Sequence, residues 1–293
     1  KKGYVFKTKS DTETVLLAFE EYGPQCVERF NGIFAFAIWD TKKKSLFLAR
    51  DPLGVKPLYL SSIEGGLAFA SEAKALLGLL PNGAHPNWAT LYQFFSYGYV
   101  PSPESPFEKI SKLPAGNFAW FRHNKLEMVR YWKPELGMGQ STSIEEASGE
   151  VSRLLERSVK MEMMGDMPVG VFLSDGLDSS AVAYYAQKCS RRKIQSFSLR
   201  FEESTHDESA DARLVAESLG LDHHELFFTE KLLQRSLNKV ADILDEPFGD
   251  STVLPLLTLS EFARKHVKVV LTGWGGDEIF AGYPTYRAHQ LSS

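Results

Sequence analysis

Residues 174–180 form a short run of small and acidic side chains that could hold a phosphate group. The run is Ser-Asp-Gly-Leu-Asp-Ser-Ser, and it directly follows the apolar stretch 168–173. Where a turn of small residues enters a helix, backbone N–H groups and the positive end of the helix dipole point outward. The serines can add hydroxyl donors, and Asp178 supplies a carboxylate oxygen of the kind that Mg²⁺ prefers. The spacing differs from that of a Walker loop, and a plain serine-capped turn is the alternative.

A second loop of this kind, Thr-Gly-Trp-Gly-Gly-Asp-Glu, occupies residues 272–278 after another apolar stretch. Three glycines among residues 273–276 let the backbone approach a ligand closely. Asp277 could share a metal ion with Asp178. Two such loops at one sheet edge are much less expected by chance than one, so we interpret them as a joint phosphate and metal site.

The elements that must position these loops alternate along the second half of the chain. Apolar residues at helical spacing predict helices over 147–159, 179–188 and 211–219. Apolar runs predict strands over 168–173, 194–199, 224–228 and 268–272. This alternation is typical of an α/β domain with a doubly wound parallel sheet. Such sheets bind ligands at the carboxyl ends of their strands, near a topological switch point.

The first half, residues 1–133, is predicted to be an α+β domain of stacked antiparallel sheets. Ser10 and Glu13 have the spacing of a capping box and predict the start of a helix. Paired apolar runs predict three hairpins, 33–39 with 46–49, 58–60 with 67–69, and 118–121 with 126–131. Residues 134–147 have the composition of a linker, which leaves 148–293 as the second domain.

Composition narrows the class of protein. The formal net charge is −4 and the basic run 42–44 lies between two predicted strands, so nucleic-acid binding is not expected. No apolar run reaches the roughly 20 residues of a membrane helix. The two cysteines, Cys26 and Cys189, fall in different predicted domains, which favours a reducing, cytoplasmic location over a disulfide framework. Because the chain starts with Lys1 and ends without a closing element, we expect a piece of a longer protein.

Several motifs resemble those of glutamine-hydrolysing asparagine synthetases. In the second half these are S-x-G-L-D-S-S at 174–180, T-G-x-G-G-D-E-x-F-x-G-Y at 272–283, and the segments 222–225 and 244–247. In the first half, segments 10–13, 31–36, 49–59 and 69–72 are similar to the class II glutaminase domain of that family. The likeness covers nearly the whole chain, and it implies an ATP-pyrophosphatase-type fold for the second half.

The resemblance implies a glutamine-dependent carbon–nitrogen ligase. In that family glutamine hydrolysis releases ammonia, ATP activates aspartate as a β-aspartyl adenylate, and the ammonia attacks the acyl carbon. Glutamine, aspartate and ATP are therefore the expected small-molecule partners, with Mg²⁺ as a cofactor. A homodimer is compatible with the resemblance.

The resemblance also assigns roles to individual residues. It places ATP binding on Leu173, Ser174, Asp175, Gly176, Asp178, Ser179, Leu199, Thr272 and Gly273. Asp178 and Asp277 are expected to hold Mg²⁺, and Trp274 and Asp277 occupy catalytic positions. Asp11 matches the carboxylate that recognises the amino group of glutamine.

Four conspicuous residues are expected to be structural instead. Arg50 and Asp51 lie inside a family motif, but the resemblance places the arginine that pairs with the α-carboxylate of glutamine upstream of Lys1, so we expect this pair to be mostly structural. His223 and His224 are adjacent histidines without partner ligands, which makes a weak metal site, so we expect them to pack.

Two loop positions depart from the family pattern. Asp175 stands where the family has glycine, and Trp274 stands where it has an acidic residue, unless a neighbour such as Glu278 substitutes. An aspartate adds negative charge beside the phosphates, and its Cβ would be strained at a positive φ. The nucleophilic cysteine of the family would precede Lys1, and the aspartate-binding residues would follow Ser293. A related amidotransferase or β-lactam-synthetase-like ligase, and a non-catalytic nucleotide-binding protein, are the alternatives.

Overall fold

The computed structural model describes residues 3–80, 83–135, 143–165, 167–202, 208–286 and 288. The chain forms two compact units. The first comprises Lys1–Gly137 together with Asp242–Asp250, and the second comprises Met138–Ala241 and Ser251–Ser293. Half of the predicted linker, 136–142, lies outside the described residues, and the domain limits at 133 and 148 stay predictions.

The described part of Lys1–Gly137 contains seven strands and four helical segments. The strands are β1 (Ala35–Asp40), β2 (Ser45–Arg50), β3 (Tyr59–Ile63), β4 (Gly66–Ala70), β5 (Ile110–Lys112), β6 (Asn117–Arg122) and β7 (Lys125–Arg130). The helices are α1 (Asp11–Tyr22), α2 (Lys74–Leu77) and α3 (Trp88–Tyr97), with a 3-10 helix at Gly23–Arg29. All pairings are antiparallel, in sheets of order β1-β2-β6-β7 and β4-β3-β5. The three predicted hairpins are confirmed, whereas β5 is too short to show a period in the sequence.

The two antiparallel sheets pack face to face. Leu48 on β2 and Leu60 on β3 are buried in one shared cluster. Because side chains alternate along a strand, Phe47 points to the other face of the larger sheet, where it packs against Phe19 of α1. Leu76 of α2 covers the outer face of the smaller sheet. Helix α1, the larger sheet, the smaller sheet and helix α2 therefore form four successive layers.

The start of α1 differs from the predicted capping box. Ser10 is the N-cap, and its hydroxyl accepts a hydrogen bond from the N–H of Thr12 at 3.2 Å. The Glu13 carboxylate does not complete the box, because the preceding chain folds back toward it. It accepts from the N–H groups of Lys7 at 2.8 Å and Thr8 at 2.6 Å. These bonds hold the pKa of Glu13 below its ordinary value.

The second unit is built on a parallel sheet. Its strands are β8 (Val169–Phe172), β9 (Gln195–Arg200), β10 (Asp222–Phe227) and β11 (Val269–Leu271). Its helices are α4 (Ile144–Glu162), α5 (Leu177–Cys189), α6 (Ser209–Leu219), α7 (Glu230–Ile243), α8 (Val253–Ala263) and α9 (Gly276–Phe280). Helix α4 begins before the predicted residue 147 because Ser143 and Glu146 form a capping box. Among the described helices, none combines the length and apolar composition that a bilayer crossing requires.

The strand order of this sheet is β10-β9-β8-β11, with all neighbours parallel. Helices contact both faces: Val171 packs with Ala183 of α5 and Ala212 of α6, whereas Phe197 packs with Leu259 of α8. From β8 the chain runs outward to β9 and β10 and then returns to the other side of β8 as β11. The order therefore reverses between β8 and β11, the two strands that precede the predicted loops.

Candidate functional site

The two predicted loops leave the carboxyl ends of β8 and β11 and line one pocket of about 390 Å³. The predicted residues in its lining are Leu173, Ser174, Gly176, Asp178, Ser179, Leu199, Thr272, Gly273, Trp274 and Asp277. Asp175 is the predicted nucleotide-site residue that lies outside this lining. The structure thus brings together side chains that are about a hundred residues apart in sequence, at the switch point of the sheet.

The first loop is closed by hydrogen bonds among its own residues. The Ser179 hydroxyl accepts from the N–H of Ser174 at 3.2 Å and donates to the carbonyl oxygen of Gly176 at 3.0 Å. The Ser174 hydroxyl accepts from the N–H of Gly176 at 3.1 Å. Among the described residues, no side chain caps the N-terminus of α5, which begins in this loop. The N–H groups of its first turn are therefore left for an anion in the pocket.

Glycines bring the second loop into direct contact with the first. A Cβ atom at Gly273 would lie 2.6 Å from the Ser179 nitrogen and 2.9 Å from the Asp178 Cβ. A Cβ atom at Gly276 would overlap the carboxylate of Asp178. A larger residue at Gly273 would require a loop to move, because it would meet backbone atoms, whereas at Gly276 either the Asp178 side chain or the loop would have to move. This close approach places Asp178 and Asp277, one from each loop, on the wall of the same pocket.

The first unit has a pocket of its own, with a volume of about 710 Å³. Its lining consists of Asp11, Thr12, Val15 and Leu16 on α1, residues 33–39 along the edge strand β1, and Lys56, Pro57 and Ser71. The Asp11 side chain is exposed, and its Oδ1 accepts from the N–H of Thr12 at 2.7 Å. Asp11 is one of the residues that line the pocket.

Arg50 and Asp51 brace the loop 54–57 at the edge of this pocket. The buried Asp51 carboxylate accepts from two backbone N–H groups of the loop, each at 3.0 Å. The Arg50 guanidinium donates to two carbonyl oxygens of the loop and to that of Leu113, each at 2.7 Å. These contacts use the polar atoms of both side chains within the fold, so the structural role predicted for the pair is confirmed.

Comparison with known proteins agrees with this two-pocket architecture. Residues 150–293 match the asparagine synthase family, and residues 1–132 match the glutamine amidotransferase domain. The chain belongs to the glutamine-hydrolysing asparagine synthetase family.

Individual relatives place the chain within longer proteins. A putative glutamine-hydrolysing asparagine synthetase from Mycobacterium tuberculosis is 37% identical over 292 residues, which are 97% of this chain and 45% of the relative. One from Methanocaldococcus jannaschii is 37% identical over 288 residues, 96% of this chain and 55% of that protein. A solved glutamine-dependent NAD+ synthetase from Acinetobacter baumannii aligns at a TM-score of 0.37 and 13% identity, over 94% of this chain and 67% of that one. The chain spans about half the length of the curated relatives.

Asp175 contacts Glu208 at the N-terminus of α6. The Glu208 carboxyl group accepts a hydrogen bond from the N–H of Asp175 and lies within hydrogen-bonding reach of the Asp175 carboxyl group. Glu208 also lines the pocket of the second unit. Burial, and then the negative charge of Asp175, raise the pKa of Glu208. Among the described residues, Asp175 is not one of the non-glycine positions with positive φ. The strain considered for an aspartate therefore does not arise, because the turn is made with ordinary backbone angles.

Trp274 is 72% exposed and lines the same pocket. Its backbone N–H donates to the Thr272 hydroxyl at 3.4 Å. The neighbouring acid Glu278 accepts from the Tyr283 hydroxyl at 2.9 Å and is not part of the pocket lining. Glu278 therefore does not stand in for the family carboxylate in this arrangement.

The sequence motifs do not include one wall of the pocket in the second unit. Thr252, Pro255, Leu256 and Leu259, on and just before α8, line the pocket, and so does Glu208. A signal was present, because polar residues 250–252 precede an apolar run with proline in its first turn, which predicts the start of a helix.

The adjacent histidines pack as predicted. His223 Nδ1 lies 2.8 Å from the Ser196 hydroxyl and its Nε2 lies 3.3 Å from that of Ser198. Burial lowers the pKa of His223. The His224 ring stacks on Phe197, with ring centroids 5.3 Å apart.

Proposed function

We propose that the chain provides the glutamine pocket and the ATP pocket of a glutamine-hydrolysing asparagine synthetase. In this reaction ATP activates aspartate as β-aspartyl-AMP, and ammonia released from glutamine displaces AMP to form asparagine. One observation carries the proposal: two glycine-rich or serine-rich loops share a pocket where the strand order of a parallel sheet reverses. Open α/β sheets bind nucleotides at such a point. This reading treats the sheet as doubly wound and the first unit as a class II glutaminase.

The pocket offers a suitable surface to each part of ATP. The uncapped N-terminus of α5, with Ser174 and Ser179, faces the phosphates. Leu173 directly follows β8, and Leu199 lies near the carboxyl end of β9. Backbone groups on this side would hold the adenine of ATP. Thr272 follows β11. Together with the next residue, Gly273, it would contact the ribose and the α-phosphate of ATP. A volume of about 390 Å³ suits a ligand of this size.

The donor set fits Mg²⁺ when phosphates complete it. Asp178 and Asp277 supply one carboxylate each to the pocket. In the part of the chain that the structure describes, no group of three or more His, Cys, Asp or Glu side chains could hold a metal ion. Mg²⁺ commonly takes one or two carboxylates and fills its other positions with phosphate oxygens and water. When bound, it would neutralise charge on the departing pyrophosphate.

The pocket of the first unit would take glutamine. Asp11 would pair with the α-amino group, and the edge strand β1 would offer unpaired backbone groups to the polar parts of the ligand. We extend the proposal to a cytoplasmic location and to aspartate as the acceptor. The full-length protein could form a homodimer.

Trp274 and Asp175 favour a second candidate, a nucleotide-binding protein that does not form the adenylate. An indole can donate one hydrogen bond but cannot accept a proton. Trp274 therefore leaves the pocket without a group that the family places there, and Asp175 adds negative charge next to Glu208.

Isothermal titration of ATP with and without Mg²⁺ tests the nucleotide site. Asp178→Ala should abolish Mg²⁺-dependent binding while circular dichroism stays unchanged. Glu156→Gln, which breaks an exposed ion pair with Lys188 away from the pocket, is the matched control. Unchanged affinity in Asp178→Ala would show that the loop is only a turn. Aspartate-dependent pyrophosphate release by the full-length protein separates the two candidates, since the second predicts ATP binding without release.

A further inference from the structure

Residues 242–250, which we call the strap, fold with the first unit although the chain on both sides belongs to the second. The chain leaves the second unit after Ala241, runs through the first unit as Asp242–Asp250, and re-enters the second at Ser251. The contacts that hold the strap are therefore contacts within the first unit.

Glu246 is the central contact of the strap. Its carboxylate accepts from the Lys112 ammonium at 2.7 Å and from the Tyr59 hydroxyl at 2.9 Å. Tyr59 on β3 and Lys112 on β5 are directly paired across the smaller sheet. Paired residues share a face, so both side chains converge on Glu246. The Lys112 ammonium also donates to the carbonyl oxygen of Val100 at 2.9 Å.

These charges are largely withdrawn from water. Lys112 is 9% exposed. Burial first, and then the charge of Glu246, raise the pKa of Tyr59, which keeps its hydroxyl as a donor to the carboxylate. Breaking a buried pair by removing one charge is costly because the partner charge stays behind without compensation. Glu246 therefore fixes the strap at one position on β3 and β5.

Asp245 provides a second anchor at the start of α2. Its carboxylate accepts from the N–H of Ala73 at 2.8 Å. The Lys74 ammonium donates to the carbonyl oxygens of Asp242 at 2.9 Å and Ile243 at 3.2 Å.

Gly249 provides a third anchor, at the end of α3. Its N–H donates to the carbonyl oxygen of Gly98 at 2.7 Å, and a Cβ atom at Gly249 would lie 3.0 Å from that oxygen. The two backbones are thus in direct contact, and the strap has no freedom to shift along the first unit without breaking these bonds.

The anchors lie close in sequence to both pockets. Tyr59 is two residues after Pro57, and Ala73 is two residues after Ser71; Pro57 and Ser71 line the pocket of the first unit. At the other end Thr252, two residues beyond the strap, lines the pocket of the second unit. The path from the strap to residues that line each pocket therefore consists of a few covalent and hydrogen bonds.

We propose that the strap couples the two pockets and that Glu246 is the positioning residue that makes the coupling work. Filling the pocket of the first unit shifts β3 and the start of α2, and the strap carries this shift to Thr252 and the start of α8. The identity of the two ligands, glutamine and ATP, rests on the proposed function. The coupling is reciprocal, because each ligand must change the affinity of the other by the same factor.

Titration of ATP and Mg²⁺ with and without saturating glutamine tests the coupling in the whole chain. Glutamine should change the dissociation constant of ATP by at least about fivefold. In Glu246→Gln this factor should fall below about 1.5, while ATP alone binds within about twofold of the parent. Tyr59→Phe keeps the ion pair between Glu246 and Lys112 and should lower the factor less. This variant provides a second test if Glu246→Gln misfolds. Glu127→Gln breaks an exposed ion pair with Arg122 and should leave the factor unchanged.

Hydrogen exchange separates failure of the inference from failure of the proposed function. In Glu246→Gln, but not in Glu127→Gln, amide exchange over residues 251–259 should rise in the absence of any ligand. If both ligands bind and the factor is 1 in the parent, or persists in Glu246→Gln, the coupling is refuted while the proposed function stands. If either ligand fails to bind, the proposed function is refuted, and unchanged exchange over 251–259 then refutes the strap as well.

Discussion

The two pockets of this chain are assembled in different ways. The pocket of the second unit is lined by residues from two loops of seven residues, 174–180 and 272–278. The pocket of the first unit is lined by a regular edge strand, the first turns of a helix, and the loop 54–57, which Arg50 and Asp51 brace. The first design concentrates function in short motifs, whereas the second spreads it over side chains that also build the fold.

This difference predicts where substitutions act. In the pocket of the second unit, a small change in a loop should abolish ligand binding and leave the free energy of unfolding nearly unchanged. In the first unit a change at a brace should cost stability first. Both expectations can be tested by pairs of variants that differ only in their surroundings.

The largest effect is expected for Gly276→Ala. The new methyl group would overlap the Asp178 carboxylate, so either that carboxylate or the loop must move. We expect ATP affinity in the presence of Mg²⁺ to fall roughly 100-fold, equal to about 2.7 kcal/mol. Gly149→Ala in α4 is the control, because a Cβ atom there meets nothing within 4 Å. Equal affinities for the two variants, measured by isothermal titration, would contradict the close contact of the loops.

Asp51→Asn should produce the next largest effect, on stability. The carboxylate accepts two backbone N–H bonds while almost fully buried, and an amide would turn one donor toward another donor. We expect a loss of about 2 kcal/mol in the free energy of unfolding. Asp40→Asn is the matched control, since Asp40 also accepts two backbone N–H bonds, at 2.9 Å each, but in a partly exposed hairpin turn. Urea denaturation that ranks Asp40→Asn as the more damaging change would refute the role of burial.

The same contrast explains what the sequence could predict. The hairpins and the strand–helix alternation were predictable because apolar runs or apolar periodicity mark their elements in the sequence, even for the three-residue strand β11. The two loops of the second unit were predictable because short sequence motifs contain their residues. Glu208 was not, since its contact with Asp175 bridges elements that share no motif. The strap was not either, because Glu246 meets Tyr59 and Lys112 only through the tertiary fold, 187 and 134 residues away.

Restoring the family residues should have a moderate effect on chemistry. In a full-length version, Asp175→Gly with Trp274→Glu should raise aspartate-dependent pyrophosphate release at least about tenfold, equal to roughly 1.4 kcal/mol in the barrier. The glycine removes the charge beside Glu208, and the glutamate returns a carboxylate to the pocket wall. Equal rates for the parent and the double variant would favour the nucleotide-binding candidate if both proteins bind ATP. The single variants show which position matters more.

The smallest effect is expected for the pH dependence that Glu208 contributes. Its folded-state pKa is raised, first by burial and then by Asp175, so the folded protein favours the protonated carboxyl group. The stability that this group contributes is therefore fully present below its unfolded pKa and is lost as the pH rises through the folded pKa. Glu208→Gln mimics the protonated form at every pH. Its stability relative to the parent should thus increase from pH 4 to pH 7.5, by a few tenths of a kcal/mol after solvent screening. Glu217→Gln, at an exposed position on α6, should show no such trend. Urea titrations at both pH values give the comparison, and the effect of Glu208→Gln in an Asp175→Asn background should increase less with pH, because the contribution of burial remains. A stability difference that is constant with pH, or that falls as pH rises, would mean that the two carboxyl groups do not share this corner of the pocket.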